Sequence, residues 1–407
     1  MKTEILITGI SQLVTAEGAS PKHGHAMREL KIVEKAAIAI SAGVIVWTGK
    51  ESEWRGETEV TVEAGGRAVV PGLVDPHTHA VWAGDRLADF EARTSGSTYE
   101  EILAAGGGIR STIRATAAAS QDDLVALAKP RIDSLIASGA TTIEVKSGYG
   151  FTLKAELAIL EAIQSLSASS TARIVPTLLI HIPPTIATER SSYMSRVCEE
   201  LIPEVARLNL ATAVDIFVEK EAWQVAEAEE LFHRAKQYGL AIKLHSDQFH
   251  CIGGVELGID FGALSVDHLE AFGPEQIAKI ASSSTIATIL PGVSLHLGIP
   301  SAPGRKLIDG GAAVAVGTDL NPGSSPLFSI SEALALSVRL NGLTVEEALV
   351  AGTVNAACAL GIKNAGRLEV GCLADFLVLQ GRDWRDLVYT LGANAVRDVW
   401  IGGKRVK

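Results

Sequence analysis

Hydrophobic and polar positions follow two different patterns along the chain. In residues 1–65, apolar and polar residues alternate in short segments between glycine-rich turns, as in ILITGISQLV and AAIAISAGVIVWTG. A period of two is typical of β-strands that bury one face. The same pattern returns after residue 365, in GRLEVGCLADFLVLQ and VRDVWIGGKRV. We therefore predict one small β domain to which both ends of the chain contribute strands.

The middle of the chain alternates continuous apolar segments with amphipathic stretches rich in alanine and glutamate. Continuous apolar segments indicate strands that are covered on both faces, as in a parallel sheet flanked by helices. The segments read TTIEVKSG, TARIVPTLLIH, ATAVDIFVE, LAIKLHSD, ALSVDHLE, STIATILPG and AAVAVGTDLN. About eight such strand and helix units are what a (β/α)8 barrel needs.

A doubly wound open sheet contains similar strands, so a glycine pattern decides between the two folds. Such a sheet places a glycine-rich phosphate-binding turn directly after a strand. Here the glycines of AAGGGIRST follow no strand, and we interpret them as a flexible substrate loop. We predict an α/β protein with a (β/α)8 TIM-like barrel at residues 66–362 and a small β-sandwich domain formed by residues 1–65 and 363–407.

Composition and charge narrow the choice of partner. The chain has 407 residues, of which 47% are hydrophobic, so it can bury a large core. Its formal net charge of -11 argues against a surface for nucleic acid, and no cluster of Lys and Arg indicates a membrane patch. We see no cleavable signal pattern and no apolar run of about 18 residues. We therefore expect a soluble, cytoplasmic protein that acts on a small molecule.

The cysteines argue for a reducing compartment. The sequence contains four of them, widely spaced and without a CxxC pair. This spacing fits reduced thiols better than a disulfide framework or a zinc ribbon. We place none of them in the functional site.

The segment VVPGLVDPHTHAVWAGDR, residues 69–86, ends a predicted strand with two histidines. Because side chains on a strand alternate faces, His77 and His79 point the same way, with Asp75 on that face and Thr78 on the other. Two imidazoles can then share one metal ion. A His-x-His pair supplies only two of the ligands that a metal site needs, and structural histidines at a strand end are the alternative.

Four strand ends carry further groups that can bind a metal, in DPHTH, KLHSDQ, SVDHLE and VGTDLNPGS. The strands of a parallel barrel end at one rim, where barrel enzymes place their chemistry. His77, His79, His245 and Asp319 would supply three imidazoles and one carboxylate, which suits Zn(II) or Fe(II) and leaves a position open for water. Taken singly, His245 could be a core histidine, and Asp319 could cap the turn that follows it.

These segments resemble the amidohydrolase superfamily and, within it, the imidazolonepropionase family. The superfamily pattern is the PGLVDPHTH strand, a later histidine at a strand end, DH on the next strand, and GTD near the end of the barrel. The narrower pattern is HTHAVWAGDR, YEEILAAGGGIRSTIRAT, EVKSGYG, SVDHLE and TDLNPGSSP, and the similarity extends over residues 65–360. It implies hydrolysis of 4-imidazolone-5-propanoate to N-formimidoyl-L-glutamate in histidine degradation. It also implies one Zn(II) or Fe(II)/Fe(III) ion per chain, and we expect a homodimer.

The resemblance also implies a role for individual residues. The metal ligands are His77, His79, His245 and Asp319. The substrate contacts are Arg86, Tyr149, His181, Gln248, Asn321, Gly323 and Ser324, with Tyr99 as a second contact for the propionate tail. The catalytic groups are His268, Asp319 and His181. The alternatives are a solvated loop position for Arg86, a core position for Tyr99 and a place beneath the loops for His268.

The chain departs from the family pattern at two of these positions. His181 lies in TLLIHIPP, where the family has a small Gly-Ala pair, so its placement is less well determined. Gln248 stands where some members have glutamate. A neutral amide cannot act as a general base, so we assign that role to His268 or Asp319. Asp267 is adjacent to His268 and faces the opposite way on a strand, so we do not expect it to orient His268.

Other functions share parts of this pattern. Another amidohydrolase, such as a purine or pyrimidine aminohydrolase or a cyclic amidase, would have the same metal strands. A binuclear member would need a carbamylated lysine, for which Lys146 is the candidate at a strand end. A non-catalytic scaffold would have lost ligands, and all four are present. Nucleophilic catalysis fits poorly, because we find no GxSxG motif and no cysteine paired with a base.

Overall fold

The computed structural model describes residues 2–98, 101–102 and 105–407. Its strands are β1 (Lys2–Val14), β2 (Ile32–Ser41), β3 (Val44–Lys50), β4 (Glu57–Pro71), β5 (Leu73–Asp75), β6 (Ala140–Lys146), β7 (Arg173–Ile180), β8 (Ala213–Val218), β9 (Ala241–Ser246), β10 (Ser265–His268), β11 (Ile286–Ile289), β12 (Val314–Val316), β13 (Phe376–Leu379), β14 (Val396–Ile401) and β15 (Lys404–Arg405).

Most α-helices within the described ranges connect the strands β5 to β12. The others lie between β12 and β14, where the chain returns to the terminal sheet. The helices are α1 (Leu87–Thr94), α2 (Ile109–Ala118), α3 (Gln121–Ala137), α4 (Leu153–Ser169), α5 (Ala187–Arg196), α6 (Ile202–Arg207), α7 (Val225–Gln237), α8 (Gly254–Asp260), α9 (Pro274–Ala281), α10 (Pro291–Leu297), α11 (Gly304–Asp309), α12 (Ile330–Leu340), α13 (Val345–Ala351), α14 (Val354–Cys358) and α15 (Asp386–Tyr389).

Both ends of the chain contribute to one sheet, which confirms the shared terminal domain. The strand order is β15-β14-β13-β4-β1-β2-β3, and β13 pairs with β4 in antiparallel register. An irregularity between Ile7 and Ile10 of β1 keeps both side chains in the same core, as a β-bulge does. The rings of Phe376 and Trp400 stack there with centroids 5.2 Å apart. The predicted boundary between residues 65 and 66 falls inside β4, and the division into three segments stays a prediction.

The remaining strands form the predicted parallel barrel. Their order in the sheet, β5 to β12, is the order in the chain, and helices connect successive strands. The two edges meet just beyond β5 and β12, where the His79 N–H donates to the Leu320 carbonyl at 2.9 Å and the Asp319 N–H donates to the His77 carbonyl at 3.0 Å. The segment with the two histidines therefore closes the barrel beside Asp319.

A buried carboxylate links the two edges of the barrel. Asp75 accepts hydrogen bonds from the Thr318 backbone N–H at 3.0 Å and from its hydroxyl at 2.6 Å. Burial raises the pKa of Asp75 to about 7, although the bonds from Thr318 act in the opposite direction.

Two further expectations bear on the environment of the protein. All four cysteines are free, as predicted from their spacing. Of the helices that the structure describes, none combines the length and the apolar character that a membrane crossing requires.

Candidate metal centre and substrate pocket

The carboxyl ends of the barrel strands bring the four predicted metal ligands together. His77 and His79 follow β5, His245 lies in β9, and Asp319 follows β12. All four side chains are buried. Asp319 has a positive φ of 51°, and its carboxylate lies next to the two histidines that follow β5.

The donor atoms of these residues converge on one small volume. Asp319 Oδ1 lies 3.3 Å from His77 Nε2 and 3.2 Å from His79 Nε2. His245 Nε2 lies 3.4 Å from His79 Nε2. The donor atoms of the three histidines all lie within 4.8 Å of one another, which is the spacing of ligands around a single ion.

The chemistry of these atoms fits a divalent metal. Among the described residues, His77 Nε2 and Asp319 Oδ1 are buried and have no hydrogen-bond partner. Buried polar atoms without a partner are costly, and facing imidazole nitrogens cannot satisfy one another if both carry lone pairs. A cation held by these residues would satisfy both atoms. Three imidazoles and a carboxylate favour zinc or iron over magnesium or calcium.

Two buried carboxylates orient two of the predicted ligand histidines through the Nδ1 atoms of their rings. His77 Nδ1 donates to Asp267 Oδ2 at 2.7 Å, and His245 Nδ1 lies 3.0 Å from both oxygens of Asp215. Such partners fix the tautomer that leaves Nε2 free for metal. As expected, Asp267 does not orient His268, but it has a role that the sequence analysis missed, because it faces His77 on another strand.

Protonation follows from this arrangement. Burial lowers the pKa of both His79 and His245. Burial also raises the pKa of Asp319, but the adjoining imidazoles of His77 and His79 outweigh it and hold that pKa well below its usual range. His77 differs, because burial lowers its pKa but Asp267 and Asp319 raise it to about 9. A metal held by His77 Nε2 would therefore have to displace a proton from that imidazole.

Lys146 is an ion-pair partner in this network. Its Nζ lies 2.7 Å from Asp215 Oδ2 and 2.9 Å from Glu144 Oε2. Burial disfavours the charged form, yet Asp215 and Glu144 outweigh it and raise the pKa of Lys146. Carbamylation requires a neutral amine, so this setting argues against the carbamylated Lys146 of a binuclear site. Lys243 lies on the far side of the cluster, 3.6 Å from Glu144 Oε2 and 3.6 Å from Asp267 Oδ2.

Three further rings lie beside the predicted metal ligands, those of His181, Tyr149 and His268. The His181 ring stacks on His79 with centroids 5.6 Å apart, and the Tyr149 ring lies 5.7 Å from His181. The His268 ring lies 5.3 Å from that of His245. Burial and the neighbouring His79 lower the pKa of His181 to about 3, so its imidazole is neutral at pH 7. The structure therefore brings His181 to the pocket despite its altered strand.

The loop after β12 contacts both Asp319 and the segment after His79. Asn321 Nδ2 donates to Asp319 Oδ2 at 2.8 Å, and Ser324 Oγ donates to the same oxygen at 3.3 Å. Arg86 packs against Gly323 so closely that a β-carbon there would lie 3.1 Å from its Nη1. Arg86 also pairs with Asp89 through its Nε.

Two predicted substrate contacts have weaker support. Gln248 is buried two residues beyond β9, but within the described ranges no hydrogen bond joins its side chain to another residue. Tyr99 lies outside the described residues, so its role stays a prediction.

Two buried glutamates hold the loops that carry predicted substrate contacts. Glu156 accepts hydrogen bonds from the N–H groups of Gly148 at 2.8 Å and Gly150 at 2.7 Å, on either side of Tyr149. Glu219 accepts from Phe249 N at 2.9 Å, next to Gln248. The sequence analysis did not consider either residue. A signal was available, because charged residues within or beside apolar segments must find partners when they are buried.

The family model of the amidohydrolase family matches residues 68–406. Imidazolonepropionase from Deinococcus deserti is 61% identical over 404 residues, which cover 99% of this chain and 100% of the relative. Imidazolonepropionase from Deinococcus radiodurans is 60% identical over the same shares of both chains. This chain belongs to the amidohydrolase family and, within it, to the imidazolonepropionases. The resemblance expected from the strand-end motifs is thereby confirmed.

Solved structures of more distant proteins share the fold. An adenosine deaminase from Xanthomonas campestris with bound zinc superposes with a TM-score of 0.74 at 19% identity, covering 99% of this chain and 93% of that one. A 5-methylcytosine deaminase from Klebsiella pneumoniae superposes with a TM-score of 0.72 at 16% identity, covering 97% and 98% of the two chains. At these identities the likeness concerns the architecture alone, which confirms the predicted fold class.

The first prediction concerns the metal ligands. Replacing His77, His79, His245 or Asp319 by Ala removes one metal–ligand bond, so each variant should retain much less metal than the parent protein. Asp267→Asn removes only an orienting carboxylate and should weaken metal affinity about 10- to 100-fold. Both effects can be measured by elemental analysis after dialysis against graded chelator. His233→Ala, at an exposed position, is the control. A ligand variant with full metal content would remove that residue from the assignment.

Proposed function

We propose that this protein hydrolyses the cyclic amide 4-imidazolone-5-propanoate to N-formimidoyl-L-glutamate in histidine degradation. The observation that carries the proposal is the convergence of His77, His79, His245 and Asp319 at the carboxyl rim of the barrel, where the substrate loops also meet. The full-length identity of 61% to a relative named imidazolonepropionase supports the choice of substrate. We further propose that the enzyme acts in the cytoplasm. The homodimer stays a prediction.

We propose one zinc or iron ion per chain, held by the three histidines and Asp319. Such an ion makes water a nucleophile near neutral pH and polarises the carbonyl group that water attacks. Lys146 and Lys243 favour one ion over two, because they already form ion pairs with the other buried carboxylates near the site. These carboxylates belong to Glu144, Asp215 and Asp267.

The substrate's propionate tail matches the cation at the pocket mouth. Arg86 offers a planar guanidinium with several donors, and Tyr149 offers a hydroxyl, so together they can hold a carboxylate in one direction. Burial raises the pKa of Tyr149, so its hydroxyl keeps the proton that it donates. Asn321 and Ser324 orient the carboxylate of Asp319 and border the product's position.

The proton transfers belong to groups near the ligands. His268 and Asp319 each place a donor atom within 4.8 Å of His77 and of each other, so either can accept the proton of the attacking water. Neutral His181 can donate a hydrogen bond to the oxyanion that forms on the ring carbonyl. The proton then passes to the ring nitrogen as the C–N bond breaks, which gives the open-chain product without a covalent enzyme intermediate.

The function itself is tested by assaying the purified protein with 4-imidazolone-5-propanoate, with metal analysis of the same sample. We expect turnover together with about one ion per chain. Adenosine and 5-methylcytosine serve as comparison substrates, since relatives in fold act on them. Turnover of a base or nucleoside without turnover of the imidazolone would contradict the proposal, and about two ions per chain would contradict the mononuclear site.

The second prediction concerns the propionate contact. Arg86→Ala should weaken substrate binding by roughly 1.5 to 3 kcal/mol, which is the scale of a charge-assisted hydrogen bond, and should leave the metal in place. The measurement is KM together with metal content. Arg196→Ala changes an exposed arginine of α5 and should behave as the parent enzyme. An unchanged KM in Arg86→Ala would show that Arg86 does not bind the substrate and serves only to hold Asp89 and the loop.

The third prediction separates His268 from Gln248. The amide of Gln248 has no proton that titrates near pH 7, so it can orient the imidazolone ring but cannot act as a base. His268→Ala should lower kcat about 100-fold or more with the metal retained, whereas Gln248→Ala should act mainly through KM. Steady-state kinetics of both variants decide the matter. The reverse pattern, with the large kcat loss in Gln248→Ala, would overturn the assignment.

A further inference from the structure

A second buried carboxylate faces the candidate base at the end of β10. Glu270 lies two residues beyond His268, and both side chains are only 3% exposed. Glu270 Oε2 lies 3.4 Å from His268 Nδ1. Within the described part of the chain, neither oxygen of Glu270 nor His268 Nδ1 has a hydrogen-bond partner. Buried polar atoms are rarely left unpaired, and such cases call for an explanation.

The backbone between the two residues is built for this approach. His268 and Leu269 both have positive φ values, 87° and 69°. A positive φ is unfavourable for any residue other than glycine, and most of all for bulky ones, so such positions persist only where the surroundings impose them. Here the Leu269 N–H donates to the Ser246 carbonyl at 3.2 Å, and the Leu269 side chain is fully buried. The turn brings the Glu270 carboxylate next to His268 Nδ1.

The other groups around His268 are already engaged. The rings of His77 and His245 lie 5.7 Å and 5.3 Å from the His268 ring and serve the metal. Asp267 accepts from His77 Nδ1 at 2.7 Å and from the Ser265 hydroxyl at 2.5 Å. Glu270 is therefore the carboxylate that remains to accept a hydrogen bond from His268 Nδ1.

We propose that Glu270 is a positioning residue for His268. By accepting a hydrogen bond from Nδ1–H, Glu270 selects the tautomer whose Nε2 carries a lone pair, and it fixes the plane of the ring. A histidine can act as a base only through an unprotonated nitrogen, and the hydrogen bond at the other nitrogen decides which one that is. This arrangement repeats, for the base, what Asp267 does for the ligand His77. The inference rests on the proposed function, since it needs His268 to act in the hydrolysis.

The experiment compares Glu270→Gln and Glu270→Ala in the metal-loaded enzyme, each alone and combined with His268→Ala. Glutamine keeps the shape and one acceptor oxygen but removes the charge, and alanine removes both. We expect kcat to fall roughly tenfold in Glu270→Gln, the scale of one charge-assisted hydrogen bond, and further in Glu270→Ala, with KM and metal content within about twofold of the parent. Glu275→Gln, at an exposed position of α9, is the matched control and should leave kcat unchanged.

The double variants show whether Glu270 acts through His268. In the His268→Ala background, the Glu270 substitutions should change kcat less than twofold, because two groups that act as one unit do not add. If kcat falls by the same factor in both backgrounds, or if the loss appears in KM, the proposal is wrong and Glu270 has a structural role or contacts the substrate. An unchanged kcat in Glu270→Gln would also overturn it. Should Glu270→Ala fail to fold, the Glu270→Gln pair decides alone.

The parent enzyme separates this inference from the function on which it rests. If the parent does not turn over 4-imidazolone-5-propanoate, the proposed function fails. If the parent is active and the Glu270 variants match Glu275→Gln, only the positioning role fails.

Discussion

The hydrogen bond from His77 Nδ1 to Asp267 Oδ2, 2.7 Å long, determines which nitrogen of His77 faces the metal position. Asp215 has the same relation to His245. Both carboxylates are fully buried, and burying a charge without a partner would cost several kcal/mol. Lys146 and Lys243 reduce that cost because they form ion pairs with Asp215 and Asp267, respectively. Two lysines face the three carboxylates of Asp215, Asp267 and Glu144, and Asp319 adds a fourth, so negative charges outnumber positive ones even when His77 is protonated. The site as a whole therefore favours a cation at its open face.

This network also explains why the chemistry lies at one end of the barrel. All the barrel strands except β11 carry a charged or imidazole side chain at or just beyond the carboxyl end, and the strand order brings these ends to one rim. Turns with positive φ at Asp247, His268 and Asp319 then redirect the chain at the rim. Such strain is tolerated because the packed barrel beneath holds the strands in place.

The sequence could predict what depends on periodicity within one strand, and it failed where the answer depends on neighbouring strands. The alternation rule placed His77 and His79 together, and parallel strands placed His245 and Asp319 at the same rim. The same rule correctly excluded Asp267 as a partner of His268, but it could not reveal that Asp267 faces His77, nearly two hundred residues earlier in the chain. The interpretation of Lys146 as a carbamylation candidate had the same origin, because its partner Glu144 lies on its own strand and its partner Asp215 lies on β8, two strands away. Glu270 escaped notice because nothing in SVDHLE indicates two consecutive residues with positive φ.

The loops that carry the predicted substrate contacts are held by the same kind of hydrogen bond. Glu156 binds the backbone on both sides of Tyr149, Glu219 binds the backbone after Gln248, and Asp89 joins Arg86 to the N–H of Gly108. In each case a carboxylate accepts hydrogen bonds from backbone N–H groups, which are donors that a loop would otherwise leave to water. A loop held in this way loses little conformational entropy when the substrate binds, since it is already ordered. The glycine stretch of residues 106–108 was interpreted as a flexible loop, yet its last glycine is fixed by Asp89 at the start of α2. Arg86 and Tyr149, which we propose as the contacts for the propionate tail, are therefore held by the protein's own carboxylates.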